Sequence, residues 1–413
     1  LLGTSHGVQG QDLGPEDAKP KEVVWHEQAP EGKLDLLVTL DFRMSTTCMY
    51  SDIVLPTATW YEKNDLNTSD MHPFIHPLST AVDPAWQSRS DWEIYKGFAK
   101  SFSEVCVGHL GVEKEIMLTP LMHDSPSELA QPFDVKEWTR GECPLIPGQT
   151  APQISVVERD YPNTYKRFTA LGPLLEKVGN GGKGIGWNTA DEVHQLAELN
   201  GMVKSEGVTK GFPKIETDID ACEVVLLLAP ETNGHVAVKA WKALGKITGR
   251  DHTHLAAHRE DEKIRFRDIQ AQPRKIISSP TWSGLESEKV SYNAGYTNVH
   301  EYIPWRTLTG RQQFYMDHPW MIAFGEGLTS YRPPVDLKTV GDMIDRKPNG
   351  NKEISLNFIT PHQKWGIHST YSDNLHMLTL NRGGPVIWLS EDDAKSAGIV
   401  DNDWVELFNT NGA

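Results

Sequence analysis

Apolar positions along the chain fall into a few short runs separated by long polar stretches. Residues 1–33 are polar and rich in Gly, Pro and Gln, and read as a linker or surface connection. Leu34-Asp35-Leu36-Leu37-Val38-Thr39-Leu40 is a short, mostly apolar run of the kind that makes a buried parallel strand, and it ends at Asp41. Ser51-Asp52-Ile53-Val54-Leu55-Pro56 repeats that signal, with Pro56 closing it. Residues 34–56 therefore predict strand, loop or short helix, strand, which is half of a nucleotide-binding α/β unit. Between Asp91 and Lys100 the apolar residues Trp92, Ile94, Tyr95, Phe98 and Ala99 keep close to helical spacing, and Ser90 or Asp91 can cap the helix.

From about 104 to 350 the chain is aromatic and punctuated by Pro and Gly, with few long periodic segments, and predicts an irregular insertion. Helix-like stretches at Thr189–Asn200 and around Val236–Leu244 are the exceptions. A new unit is expected near Leu356: a strand over Leu356–Ile359, a His-rich loop, the run Pro385–Leu389, a short helix near Glu391–Ala397 and a strand over Trp404–Phe408. The expected division is a connection over 1–33, a partial α/β nucleotide-binding unit over 34–103, the insertion over 104–350 and the start of a further domain over 351–413.

The chain has 413 residues, enough for two or three domains, and 38% of them are hydrophobic and 23% charged, as in a globular protein. Its longest apolar run, Val224–Pro230, is under half of the roughly 20 residues that cross a bilayer, so no direct membrane insertion is expected. A net charge of -16 works against nucleic-acid binding. Cys48, Cys106, Cys143 and Cys222 stand at least 37 residues apart, so no local pair holds zinc or an iron-sulfur cluster, and buried, idle thiols are expected. The chain starts without a methionine and stops just after the turn-like Asn409-Thr410-Asn411-Gly412, and it reads as an internal piece of something longer.

Several apparent motifs fail on inspection. Gly179-Asn180-Gly181-Gly182-Lys183-Gly184 satisfies G-x-G-x-x-G but follows no strand-like segment, and Lys183 is followed by Gly184 where a phosphate-binding P-loop needs Ser or Thr, so a flexible turn is the better account. His252 and His254, and His72 and His76, invite a metal reading, yet Pro73 and Pro77 spoil a helical pairing for the second set and the first has no further ligand nearby.

Two segments rise above this background. Asp41, following Leu40, sits at the carboxyl end of a predicted parallel strand, where open α/β sheets present groups to a nucleotide. With Lys63 and Asp91 it offers carboxylates for a guanine edge or a ribose diol and a compact positive charge for phosphate; an ordinary strand-end Asp and a surface Lys fit the same pattern. The other segment is Thr360, Pro361, His362, Gln363, Lys364, Trp365, Gly366, Ile367, His368 and Ser369, which concentrates imidazoles, an amide, an ammonium and a permissive glycine. It suits a heteroaromatic ring and its phosphate, and equally a hydrogen-bonded surface loop.

At these residues a family resemblance enters. Thr39 through Thr47 and Ser51 through Lys63 resemble the strand-to-strand signature of the molybdopterin oxidoreductases of the dimethyl sulfoxide reductase family. Pro385 to Gly412 resembles the opening of that family's C-terminal dinucleotide-binding β-barrel. Asp251–Leu255, Lys263–Trp282 and Pro304–Leu308 resemble its nitrate-reductase branch, and the likeness extends over essentially the whole chain.

The resemblance implies an α/β cofactor-binding unit, a long insertion, the start of a β-barrel and a molybdenum bis(molybdopterin guanine dinucleotide) cofactor. It also implies reduction of nitrate to nitrite with electrons that arrive from quinol through iron-sulfur clusters. Leu40, Asp41, Lys63 and Asp91 would hold guanosine and phosphate portions, and Thr360 to Ser369 would line a pterin, with His362 and His368 beside the ring. A 4Fe-4S cluster, with its ligands and the molybdenum ligand outside this segment, is implied as well. So are an iron-sulfur beta subunit, a haem b membrane-anchor gamma subunit and a peripheral position on the cytoplasmic face of the bacterial membrane. A nitrite oxidase, a reductase of another oxyanion and a non-catalytic scaffold are the alternatives.

Overall fold

The computed structural model describes residues 34–69, 72–119, 138–142, 151–182, 185–282, 301–303, 319–331, 353–362, 374–380 and 386–407, together with Pro144, Leu145, Pro147, Phe314, Tyr315, Trp365, His368, Thr370 and Tyr371. It mixes helices and strands, the α/β character expected from the sequence. The described residues divide into two compact units. One takes in those up to Thr39, Met44–Val54 and those from Ser330 onward; the other takes in Leu40–Arg43 and Leu55–Thr329.

The first elements follow the predicted order: β1 (Val38–Asp41), α1 (Thr46–Met49) and β2 (Ile53–Pro56). The strands pair in a two-stranded sheet. Leu37 O accepts from Ile53 N at 3.3 Å and Asp41 O accepts from Thr57 N at 3.1 Å. Donor and acceptor are offset equally at both ends, as a parallel pair requires. β1 is shorter than the apolar run, because Leu34 and Leu36 stay exposed.

β3 (Asp65–Ser69) and β4 (His72–Leu78) follow as an antiparallel pair, and then comes α2 (Asp91–Val105), longer than the predicted helix. β5 (Val112–Thr119) and β6 (Gln153–Asp160) make a long antiparallel ribbon. Beyond it lie α3 (Thr164–Phe168), α4 (Leu174–Lys177) and the hairpin β7 (Asn180–Gly182) and β8 (Ile185–Trp187). The flexible turn expected over the glycine-rich segment is corrected at Asn180–Gly182, which pair as a strand, while Lys183 and Gly184 lie outside the described residues. Gly179 has a positive φ of 84°, and a Cβ there would lie 2.1 Å from the Trp187 carbonyl oxygen.

The expectation of irregularity between 104 and 350 needs correcting for residues 185–282, which carry the buried core. Four helices build it: α5 (Ala190–Asn200), α6 (Asp218–Leu228), α7 (Gly234–Thr248) and α8 (Phe266–Ala271). α6 starts on a capping box in which Thr217 Oγ1 accepts from Asp220 N at 3.1 Å and the Asp220 carboxylate accepts from Thr217 N at 2.9 Å. Its apolar run carries no one-sided period because Cys222, Leu226, Leu227 and Leu228 are all buried. α7 buries Val236, Ala237, Ala240, Trp241 and Leu244 and ends at Gly249 in the left-handed region. Gly234 begins α7 so close to Arg259 that a Cβ would stand 1.8 Å from its carbonyl oxygen. β9 (Arg274–Lys275) pairs with β4, and α9 (Pro319–Ala323) follows.

Polar latches tie the core helices together. The carboxylate of Glu192, on a side chain with no solvent exposure, takes bonds from Lys239 Nζ at 3.0 and 3.1 Å and lies 3.1 Å from His235 Nδ1. Glu223 takes Arg265 Nε at 2.7 Å and Phe266 N at 3.2 Å.

Toward the C-terminus, α10 (Leu375–Leu380) and α11 (Glu391–Ala397) are formed, the latter over the predicted residues with Ser390 as its cap. The strands expected at Leu356–Ile359 and Trp404–Phe408 are corrected. Leu356–Ile359 and residues 404–407 form no strand, and Phe408 lies outside the described residues. Strands form only where a neighbour supplies backbone partners, and Phe358, Ile359 and Trp404 are left exposed. Val386–Leu389 likewise forms no strand, and the expected connection over residues 1–33 lies outside the described residues.

Candidate functional site

Local chemistry gathers at the carboxyl end of β1 and β2. Leu40 is partly buried within β1, and Asp41 closes that strand. Asp41 Oδ1 accepts from Arg43 N at 3.2 Å, so the carboxylate folds back over the turn that leaves the strand. Past Asp41 and Thr57 the ladder continues: Ala58 N donates to Arg89 O at 2.8 Å and Arg89 N donates to Pro56 O at 3.3 Å. That ladder sets the first turn of α2 beside the strand ends. Ser90 Oγ accepts from Glu93 N at 3.3 Å, which makes it the cap, and Asp91 is the first helical residue, where the helix dipole favours a carboxylate.

The loop after β2 carries Lys63. Glu62 braces it, accepting from Thr59 N at 2.8 Å and Ala85 N at 3.3 Å. The Thr59 backbone bond is the main reason that the Glu62 carboxyl sits below its ordinary range. Lys63 Nζ donates to Asp91 Oδ2 and lies 3.8 Å from Asp65 Oδ2. Its side chain is only 13% exposed, whereas those of Asp91 and Asp65 are 49% and 51% exposed.

Two further links hold this loop and α2 against the start of α6. Asn64 N donates to Asp218 Oδ2 at 3.2 Å, and Asn64 Oδ1 accepts from Thr80 N at 3.2 Å. Glu216 O accepts from Trp92 Nε1 at 3.3 Å and from Lys96 Nζ at 2.8 Å, while Trp92 stacks on Phe168 with centroids 4.8 Å apart. The structure therefore pairs Lys63 with Asp91 directly and joins Asp41 to them through the backbone ladder. Asn64, Asp218 and Glu216 join this corner although nothing in their local sequence ties them to it. The Thr217–Asp220 capping box was the available signal that a helix begins there.

The second predicted segment belongs to the other compact unit. His362 and His368 come together, their ring centroids 5.3 Å apart at 62°. His368 adopts a positive φ of 50°, uncommon for a residue with a side chain. Thr360, Pro361, His362, Trp365 and His368 are exposed, while Gln363, Lys364, Gly366, Ile367 and Ser369 lie outside the described residues.

The remaining candidates are placed elsewhere. His72 and His76 sit on β4 with rings 5.1 Å apart. His252 is buried against Trp241, and burial lowers its pKa. Cys48, Cys106 and Cys222 are buried, and burial pushes the Cys222 thiol up to about 12. Among the described residues no group of three or more His, Cys, Asp or Glu could hold a metal ion, and no helix is long and apolar enough to cross a membrane.

Comparison with known proteins bears on this arrangement at three places. Residues 14–101, which contain the strand-end corner, match the family described as molybdopterin oxidoreductase, and residues 356–413 match the molydopterin dinucleotide binding domain. The sequence around the strand-end corner is thus similar to that of molybdopterin oxidoreductases. Residues 178–300, a range that includes helices α5 to α8, match nitrate reductase alpha chain, domain V.

Along its whole length the chain is 72% identical to respiratory nitrate reductase 2 alpha chain and 71% identical to respiratory nitrate reductase 1 alpha chain, both of Escherichia coli (strain K12). It is 48% identical to the nitrate reductase alpha chain of Bacillus subtilis (strain 168). It spans about a third of the length of these relatives, 33% in each case. The chain is thus similar, from end to end, to a third of a nitrate reductase alpha chain.

Proposed function

We propose that this chain is the cofactor-holding part of the catalytic subunit of a respiratory nitrate reductase, which reduces nitrate to nitrite at a molybdenum bis(molybdopterin guanine dinucleotide) centre with electrons from quinol. The observation that carries the reading is the 72% identity to a respiratory nitrate reductase alpha chain over the whole of this chain. It is supported by the position of the corner at the carboxyl ends of parallel strands and at a helix start, where α/β proteins receive nucleotides.

The residues fit such a group. Asp41 and Asp91 are carboxylates suited to the paired N–H donors of a guanine edge, with Leu40 and Lys63 beside them. The segment Thr360, Pro361, His362, Gln363, Lys364, Trp365, Gly366, Ile367, His368 and Ser369 serves the pterin end. Its imidazoles can exchange hydrogen bonds with ring nitrogens. When bound, the cofactor supplies two-electron chemistry and a metal that accepts the oxyanion. This chain's own residues bind and orient it.

The resemblance further supports an iron-sulfur beta subunit and a haem b gamma subunit as partners, a 4Fe-4S cluster in the same subunit, and peripheral attachment to the cytoplasmic face of the bacterial membrane through those partners. The expected division into a cofactor unit over 34–103, an insertion over 104–350 and the opening of a β-barrel over 351–413 belongs to the same reading. A reductase of another oxyanion is the rival. The perchlorate reductase subunit alpha of Dechloromonas aromatica is 28% identical over 92% of this chain, and the distance between 28% and 72% favours nitrate.

The test is Asp41→Ala in the assembled enzyme. Loss of a charge-assisted hydrogen-bond pair should weaken cofactor retention by roughly 1.5–3 kcal/mol, seen as less guanine nucleotide per molybdenum on acid release. Full retention by both Asp41→Ala and Asp91→Asn would remove the corner from the site.

A further inference from the structure

Lys63 is the cation a phosphate would be expected to meet, yet its surroundings argue for another task. Its ammonium donates to Asp91 Oδ2 and lies 3.8 Å from Asp65 Oδ2, so one positive charge faces two carboxylates and the local balance is negative. A phosphate anion would be repelled by that balance, and would have to displace Asp91 from a lysine whose side chain is only 13% exposed. The placement is also firmly built. Glu62, the residue before Lys63, is pinned by Thr59 N and Ala85 N, Asn64 is tied to Asp218 and Thr80, and Asp91 is held at the start of α2 behind its Ser90 cap. Asp91 remains half exposed with one oxygen engaged, oriented to accept a ligand's N–H donors while its charge is partly neutralised.

We propose that Lys63 is a positioning residue: it orients and neutralises the Asp91 carboxylate for the guanine edge of the nucleotide, and does not itself bind phosphate. This rests on the reading of the corner as a guanine-nucleotide site. The discriminating measurement is a double-mutant cycle in the assembled enzyme with Lys63→Met, Asp91→Asn and both together, read as guanine nucleotide per molybdenum and as its rate of loss on dilution. Each single change should speed nucleotide loss roughly ten- to a hundredfold. The double change should lose no more than Asp91→Asn alone, because both remove the same contact. Lys63→Arg should retain most of the nucleotide, and its unfolding midpoint should match the unaltered protein.

Additive losses in the double variant would show that Lys63 contacts the ligand independently and would overturn the proposal. So would full retention in Lys63→Met alongside loss in Asp91→Asn. Full retention in Asp91→Asn and in Asp41→Ala would instead overturn the reading of the corner itself. The two failures are therefore distinguishable.

Discussion

The helical core and the strand-end corner are held together by different physics. In the core, Trp241 is fully buried among Val236, Ala237, Ile277 and Ile303, and its Nε1 donates to Ser278 O at 2.9 Å. Area removed from water dominates there, and a lost methyl group is felt as a cavity. In the corner, Asp41, Lys63 and Asp91 are only partly buried, and their geometry comes from backbone ladders, one helix cap and an ion pair. Packing makes a region stable, whereas directional bonds at a half-exposed edge make it accurate and leave it open to a ligand. Changes in the core should therefore appear as lost stability and changes in the corner as lost ligand.

The hardest blow to that contrast would come from Trp241→Ala. It should cost roughly 3–5 kcal/mol, read as a lower unfolding midpoint of the purified protein. A change under a third of that would mean the core is not held by packing. Next in size is Glu192→Ala, which leaves Lys239 and His235 without their buried carboxylate and should cost about 3 kcal/mol on the same measurement. Ser90→Ala removes the α2 cap and should cost about 1 kcal/mol locally. It should show as faster amide exchange in the first turn of α2, with the core helices unchanged; equal acceleration in α7 would erase the distinction between the regions.

The subtlest effect is a pair of slopes with pH. Burial lowers the folded-state pKa of His252 from 6.5, so the unfolded chain takes up its proton first and stability should fall as pH drops below about 6.5. Burial raises the Cys222 thiol from 9.0 to about 12, so the unfolded chain ionises first and stability should fall as pH climbs from 9 toward 12. Cys222→Ala should flatten the alkaline limb, and His252→Gln the acid one, in unfolding midpoints measured across pH. An unchanged limb would mean that the group titrates as freely in the folded state.

Legibility in the sequence followed the locality of the signal. α11 was read over its observed residues because Ser390 at the cap and Gly398 past the end are neighbours in the chain. Period and bounding residues mark α5 and α7, but α6 carries no such mark, since its buried residues include the consecutive Leu226, Leu227 and Leu228 and the continuous apolar run resembles a strand. The ribbon of β5 and β6 was missed for a different reason: its partners are joined across a long connection, and residues such as Ile116 and Val156 stay exposed on it. The strands expected near Leu356 and Trp404 had the right composition and no neighbour to pair with among the described residues.

The sequence by itself determined the short-range features: β1, α1 and β2 in order, a cap at Ser90 or Asp91 and the strand-end position of Asp41. Only the tertiary structure decided that Lys63 faces Asp91 and Asp65, and that Asn64 is anchored by a carboxylate 154 positions away. Caps and periods act over a few residues and leave their mark in local order. A charge takes its meaning from whatever the completed fold brings within a few ångströms of it.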